Sequence, residues 1–111
     1  MNRGDLDTAA AQYEAGGTLV EEPGKLARGA EQIRESLRGF IALKPTLKTE
    51  KHQMIEGDQI TLFCSKWSLT GTGPDGKPIA MSGISSDVLR RQPDGTWLIA
   101  IDNPWGTAPL G

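Results

Sequence analysis

The sequence predicts an α+β fold in which two helices pack on one face of an antiparallel sheet. Three observations predict it. The chain has 111 residues of which 37% are hydrophobic, which suits one core and not two. Two segments in the first half have helical spacing of apolar residues, and after Pro45 extended segments alternate with turn residues. We therefore expect one domain covering residues 1–111.

Two segments predict helices because their apolar residues recur at spacings of three and four and so share one face. In Gly4–Gly16, which Gly16 and Gly17 would end, these residues are Leu6, Ala9, Ala10 and Tyr13. In Ala30–Leu43, which Pro45 ends, they are Ile33, Leu37, Phe40 and Ile41.

The remaining segments predict strands that turn residues separate. Two short strands stand between the helices, with a turn at residues 21–24. Four longer ones follow the second helix, so the sheet is expected to be a meander with hairpin-type turns. The predicted strands are Thr18–Val20, Lys25–Arg28, Leu47–Ile55, Gln59–Thr70, Ile79–Gln92 and Trp97–Asp102.

Charge and hydropathy exclude several classes of partner. The net charge is −2, and the sequence has no basic stretch suited to binding nucleic acid or an anionic membrane surface. The apolar stretches are much shorter than the roughly 20 residues of a membrane-spanning helix. The N-terminus lacks the apolar segment of a signal peptide, so we expect a cytoplasmic protein.

Cysteine and histidine are too few for most sites built from them. Cys64 is the only cysteine and His52 the only histidine, which excludes an internal disulfide and a zinc site made of these ligands. His52 stands between Lys51 and Gln53 in a polar stretch and is expected to be a solvated strand residue.

An ordered set of short motifs resembles the nuclear-transport-factor-two-like superfamily, and within it the SnoaL-like polyketide cyclases and the ketosteroid isomerases. The motifs span nearly the whole chain: Gly4–Asp7 with Tyr13, Thr18–Pro23, Gly29 with Ile33, Ser86–Arg90 and Asp94–Trp97. The resemblance implies a cone-shaped, curved sheet packed against helices around a small-molecule pocket. It also implies a longer first helix than the three residues Met1–Arg3 allow, so we expect this helix to be truncated and the lid of the pocket to be incomplete.

Glu22 is the first candidate for chemistry. It directly precedes Pro23, where the resemblance implies the carboxylate base of the ketosteroid isomerases. A carboxylate at the mouth of an apolar cone is partly desolvated, and desolvation favours proton transfer near neutral pH. The alternative is a solvated glutamate in a surface turn.

Asp87 and Asp102 are the other two catalytic candidates. Alternation places Asp87 on one strand face with Met81 and Ser85, and the resemblance implies a protonated Asp that donates a hydrogen bond to an oxyanion. Asp102 ends a strand expected to lie beside it, and coupling would raise one of the two pKa values. The alternatives are an ion pair for Asp87 and a turn cap at residues 103–104 for Asp102.

Five residues are expected to line a ligand pocket: Tyr13, Phe63, Trp67, Met81 and Ser85. Phe63 and Trp67 are equally compatible with plain core packing. The tyrosine donor of the isomerases lies upstream of the Gly-Asp pair and has no counterpart here, so Tyr13 is interpreted as a wall residue.

Three functions follow from these candidates. One is an isomerase or cyclase in which carboxylates move a proton on a carbonyl compound, without a metal or an organic cofactor. A second is a non-catalytic domain that binds a small apolar or carbonyl-bearing ligand. The third is a dimerisation module, and in each case we expect a homodimer through the outer sheet face.

Overall fold

The computed structural model describes residues 3–111, and the side chains from residue 6 onward. It contains two helices, six strands and a short 3₁₀ turn at Ala108–Leu110. The helices are α1 (Arg3–Ala10) and α2 (Gly29–Ile41). The strands are β1 (Tyr13–Glu22), β2 (Lys25–Arg28), β3 (Thr46–Glu56), β4 (Ile60–Thr72), β5 (Pro78–Arg91) and β6 (Trp97–Asp102).

The six strands form one curved, open sheet in the order β2-β1-β6-β5-β4-β3. Neighbouring strands are antiparallel except β1 and β6, which run parallel. β6 lies between β1 and β5, so the last strand of the chain pairs with the first strand on one side and with β5 on the other. The predicted α+β fold is confirmed.

The first helix is shorter than predicted, and the prediction that it reaches Gly16 is wrong. Main-chain bonds from Ala11 to Asp7 and from Gln12 to Ala9 close its last turn. The chain then becomes strand, because the Ile99 amide donates to the Gln12 carbonyl at 2.8 Å. Tyr13 thus lies on a strand and not on a helix. The expectation about the missing start of this helix concerns the chain before residue 3, which lies outside the described residues.

The core lies between α2 and the strands β1 and β2. Leu19, Ala27 and Ile33 are buried there, and Tyr13 and Leu37 pack against them. Ile33, at 1% exposure, is the most completely buried of these side chains. In contrast, all eleven residues of β3 are exposed. None of the helices in residues 3–111 has the length and apolar character needed to cross a membrane.

Candidate active site

Three acidic or phenolic side chains meet on three neighbouring strands, β1, β6 and β5. Leu19 on β1 pairs with Asp102 at the end of β6, while Tyr13 pairs with Ile99 three residues earlier. The register shifts between Tyr13 and Thr18, and the Tyr13 ring packs against the core under α2. Its hydroxyl donates a hydrogen bond to Asp102 Oδ2.

Asp87 lies beside this pair on β5 and accepts a hydrogen bond from the chain just after β6. The Asn103 amide donates to Asp87 Oδ1 at 2.8 Å. Asp87 and Asp102 are both half-buried. The strand order therefore brings together two carboxyl groups that are fifteen residues apart in the sequence, with a tyrosine from the other end of the chain.

Burial and charge shift the ionisation of this group. Partial burial and the negative charge of Asp102 raise the pKa of Asp87 to about 7, and the Asn103 amide opposes the shift. Burial and Asp102 also hold the pKa of Tyr13 well above its usual range, so its hydroxyl stays a neutral donor. A carboxyl group that titrates near neutrality both accepts and returns a proton under physiological conditions.

The inner face of β4 and β5 forms a floor next to Asp87. Directly paired residues share a face, and the pairs here are Phe63 with Asp87, Ser65 with Ser85 and Trp67 with Gly83. The two serine hydroxyls are 2.6 Å apart and buried. A β-carbon on Gly83 would lie 2.9 Å from the Trp67 ring, so the indole occupies space that is open because residue 83 has no side chain.

Residues 1–98 match the family of SnoaL-like domains. The chain belongs to this family. No curated protein matches it in sequence.

Solved structures similar to this SnoaL-like domain carry the same fold. A nuclear-transport-factor-2-like superfamily protein from Salmonella enterica has a TM-score of 0.77 at 22% identity. The alignment covers 92% of this chain and 78% of the Salmonella chain. A protein from Shewanella frigidimarina, provisionally named a ketosteroid isomerase, has a TM-score of 0.74 at 24% identity, with coverages of 89% and 80%. A protein from Catenulispora acidiphila solved in complex with S-DNPA has a TM-score of 0.72 at 24% identity, with coverages of 89% and 76%. At these identities the similarity establishes the fold alone.

The structure brings some of the sequence-predicted site residues of the SnoaL-like domain together and leaves others apart. Asp87, Asp102 and Tyr13 form one cluster, with Phe63 opposite Asp87 and with Trp67 and Ser85 on the same inner face. Met81 pairs with Leu69 on that face near the far end of β5 and is 40% exposed.

Glu22 lies apart from the cluster. It is exposed at the end of β1, opposite Lys25 across the turn to β2. No hydrogen bond or ion pair to Glu22 is found in the described part of the chain. Because its side chain is exposed, it does not lie at the mouth of an apolar cone as the sequence predicted.

Two further parts of the site were not found from the sequence. The interpretation of Tyr13 as a wall residue missed its hydroxyl bond to Asp102, because the sequence placed it on a helix. The Asn103 amide was missed because a main-chain donor leaves no mark in residue types. The sequence indicated a turn at residues 103–104, and Trp105 directly after it was the signal that could have marked the turn as part of the site.

A cavity lies next to the cluster and not over the carboxyl groups. It has a volume of about 310 Å³ between the end of α1, the start of β1 and α2. Its polar lining residues are Tyr13, Glu14 and Arg34, and Ile33 is one of its apolar ones. Tyr13 is therefore the link between the cavity and the two aspartates. Within residues 3–111, no group of three or more His, Cys, Asp or Glu residues is placed to hold a metal ion.

Proposed function

We propose that this SnoaL-like domain is a small-molecule pocket protein, an isomerase or cyclase that moves a proton on a carbonyl compound without a cofactor. One observation carries the proposal: the half-buried Asp87 carboxyl group lies beside Asp102 and opposite Phe63, where burial and Asp102 raise its pKa to about 7. The similar protein that is provisionally named a ketosteroid isomerase supports the reaction class. The complex of another similar protein with S-DNPA supports a small-molecule ligand.

Asp87 is the proposed proton shuttle. In its ionised form it removes a proton from the carbon next to a carbonyl group, and in its acid form it returns that proton to another carbon. Asp102, held by the Tyr13 hydroxyl, keeps the proton affinity of Asp87 high through its negative charge. Phe63, opposite Asp87, offers an apolar ring to the body of the substrate.

The exchange of substrate protons for deuterium tests this role. The protein would be incubated in D₂O with a panel of cyclic and β,γ-unsaturated ketones, and deuterium next to the carbonyl group followed by NMR. We expect exchange with at least one ketone, and a rate about 100-fold lower for Asp87→Asn. Asp58→Asn is the matched control, because Asp58 is exposed and its carboxylate accepts a long, exposed hydrogen bond of 3.4 Å from Gln59.

The pH dependence separates two roles for Asp87. As a base it gives a rate that rises with pH through its pKa, whereas as a protonated donor to an oxyanion it gives a rate that falls. We expect the rising profile. Binding of a ketone without exchange, seen as shifts of the Asp87 and Phe63 resonances, would support the non-catalytic ligand-binding function instead.

We also propose that the domain forms a homodimer through the outer sheet face. An apolar row crosses four strands there, because Ile55 pairs with Leu62, Leu62 with Val88, and Val88 with Ile101. Ile55, Leu62 and Ile101 are 55%, 37% and 43% exposed. A continuous exposed apolar row on a sheet is typical of an interface.

Sedimentation of the purified chain tests the dimer. We expect twice the mass of the chain for the unchanged protein and a monomer for Leu62→Lys. Leu47→Lys is the matched control, because Leu47 is also exposed but pairs with Leu69 on the inner face. If the unchanged protein sediments as a monomer at micromolar concentration, the proposed dimer is refuted.

A further inference from the structure

The turn that follows β6 is bound to two strands of the sheet, β1 and β4. The indole N–H of Trp105 is shared between the main-chain carbonyls of Val20 and Glu21 on β1, at 3.1 and 3.2 Å. From β4, beyond β5, the Trp67 indole donates to the Pro104 carbonyl at 2.8 Å. The two indoles also meet edge to face, with centroids 6.3 Å apart. A turn of a few residues thus spans from β1 to β4.

The acceptors for Trp105 arise from an irregularity in β1. The pairing of β1 with β2 shifts register between Val20 and Glu22, so Glu21 has no directly opposed residue on β2. A shift of this kind takes main-chain groups out of the regular ladder and leaves them available to other donors. The Trp105 indole donates to these groups and so binds the turn to β1, which is separated from β5 by β6.

The same turn presents a main-chain donor to the proposed catalytic carboxyl group. The Asn103 amide donates to Asp87 Oδ1 at 2.8 Å, two residues before Trp105. The Asn103 carbonyl in turn accepts from the Ser86 amide at 2.9 Å. Gly106 closes the turn against β5, where a β-carbon would lie 2.3 Å from the Ile84 carbonyl. The amide of Asn103 is therefore directed at Asp87 only while the turn holds this position.

We propose that Trp105 is a positioning residue: its indole N–H, bound to the Val20 and Glu21 carbonyls, holds the Asn103 amide in place as a donor to Asp87. The proposal deepens the proposed function, on which it rests for the importance of Asp87. Trp105 acts through the turn and has no part in proton transfer itself.

The titration of Asp87 distinguishes a positioning role of Trp105 from one in which its ring only shields Asp87 from water. The two roles predict opposite changes in the pKa of Asp87 when Trp105 is replaced. The titratable groups acting on Asp87 are Asp102 on β6 and Tyr13 on β1, while β4 faces it with Phe63. An amide that donates to the carboxylate favours the ionised form, so its loss raises the pKa of Asp87. A lid that excluded water would act the other way, since its loss would hydrate the carboxylate and lower that pKa.

Trp105→Phe is the test variant, because it keeps an aromatic ring next to Trp67 and removes the indole N–H. Carboxyl resonances of ¹³C-aspartate-labelled protein would be followed against pH, with Asp87 assigned by Asp87→Asn. We expect the titration midpoint of Asp87 to rise by about half a pH unit or more, and the Asn103 amide to exchange with D₂O at least tenfold faster. Trp97→Phe is the matched control, since Trp97 lies at the opposite end of β6 and takes no part in the turn.

Trp67→Phe gives a second, independent variant, since it removes the bond that holds Pro104 from the β4 side. We expect the same upward direction there, with the amide fingerprint spectrum verifying the fold of each variant. An unchanged or lowered midpoint in a folded Trp105→Phe protein would overturn the proposal. An ordinary, low Asp87 pKa in the unchanged protein would instead overturn the proposed proton shuttle, and an upward shift on substitution would still support the role of Trp105.

Discussion

Strands β1 and β3 differ in whether a helix packs on them, and this difference determines how strongly charged side chains near them interact. Both carry a mixture of charged, polar and apolar residues, and both lie in the same sheet. β1 lies under α2 and buries Leu19, whereas every residue of β3 is exposed. The carboxyl groups of Glu50 and Glu56 on β3 face water, which screens them from other charges.

The carboxyl groups near β1 are in a different environment. Asp102 lies on β6, next to β1, and Asp87 on β5, the strand beyond it. Both are half-buried, where the effective dielectric constant is lower and two carboxyl groups interact strongly. The Tyr13 hydroxyl and the Asn103 amide serve as donors to these carboxylates. The proposed chemistry therefore depends on partial burial beside Tyr13, which packs against the core under α2, and on the turn after β6, and less on the residue types alone.

The largest expected effect concerns the stability that α2 contributes. Ile33→Ala removes a side chain that is 1% exposed and leaves a cavity, so we expect it to lower the free energy of unfolding by about 2–5 kcal/mol. Ile55→Ala on β3 makes a related truncation at a site that is 55% exposed in the single chain, and should cost less than about 0.5 kcal/mol when the protein is dilute enough to be monomeric. Urea denaturation of both variants measures the difference.

The comparison fails if the two variants lose equal stability. Denaturation at several protein concentrations then shows the reason, because a loss at Ile55 that grows with concentration indicates that a second copy covers β3. A loss independent of concentration would mean that the exposed strand contributes to the monomer core.

The sequence predicted the parts of this molecule that depend on periodicity. The spacing of Ile33 and Leu37 predicted α2 and its buried side, and alternation placed Asp87 and Ser85 on one face, as the pairing with Phe63 and Ser65 shows. Local patterns fix such features because each depends on residues close in the chain.

The rest depended on contacts between distant segments. Tyr13 continues the apolar spacing of a helix, yet pairing with β6 and burial against Ile33 make it a strand residue. The turn at Asn103 and Trp105 acts through main-chain groups of β1 and β5, which no pattern of residue types specifies. Glu22 is the reverse case, since its motif predicted a base while the fold leaves it exposed.

The second expected effect is a dependence of stability on pH. The folded pKa of Asp87, about 7, lies above the value near 3.9 of an unfolded aspartate. The folded state therefore binds more protons than the unfolded state between pH 4 and 7, and its stability falls as pH rises through that window. Asp87→Asn removes this penalty and keeps an oxygen acceptor for the Asn103 amide.

We expect Asp87→Asn to be more stable than the unchanged protein at pH 8 by about 1–2 kcal/mol, because the carboxyl group is only partly buried and water screens some of the shift. The advantage should shrink toward zero at pH 4. Urea denaturation at both values measures it, and a constant difference across the range would contradict a raised pKa for Asp87.

A smaller effect is expected at Asp102. Its negative charge helps to raise the pKa of Asp87, so Asp102→Asn should lower the titration midpoint of Asp87 by about one pH unit. Carboxyl NMR measures the shift, and Asp58→Asn should leave the midpoint unchanged. If exchange of ketone protons depends on ionised Asp87, its rising pH profile moves to lower pH by the same amount. An unmoved midpoint would leave burial as the dominant cause.

The smallest effect is expected at Glu22. Because this side chain is exposed and no partner is found for it in residues 3–111, Glu22→Gln should change the free energy of unfolding by less than about 0.5 kcal/mol. Its exchange rate with ketones should stay within about threefold of the unchanged protein, far from the loss expected for Asp87→Asn. Equal losses for both variants would reverse the assignment: Glu22 would be the base, and Asp87 the protonated donor to the oxyanion. The pH profile provides an independent decision, since that assignment requires the rate to fall as Asp87 ionises.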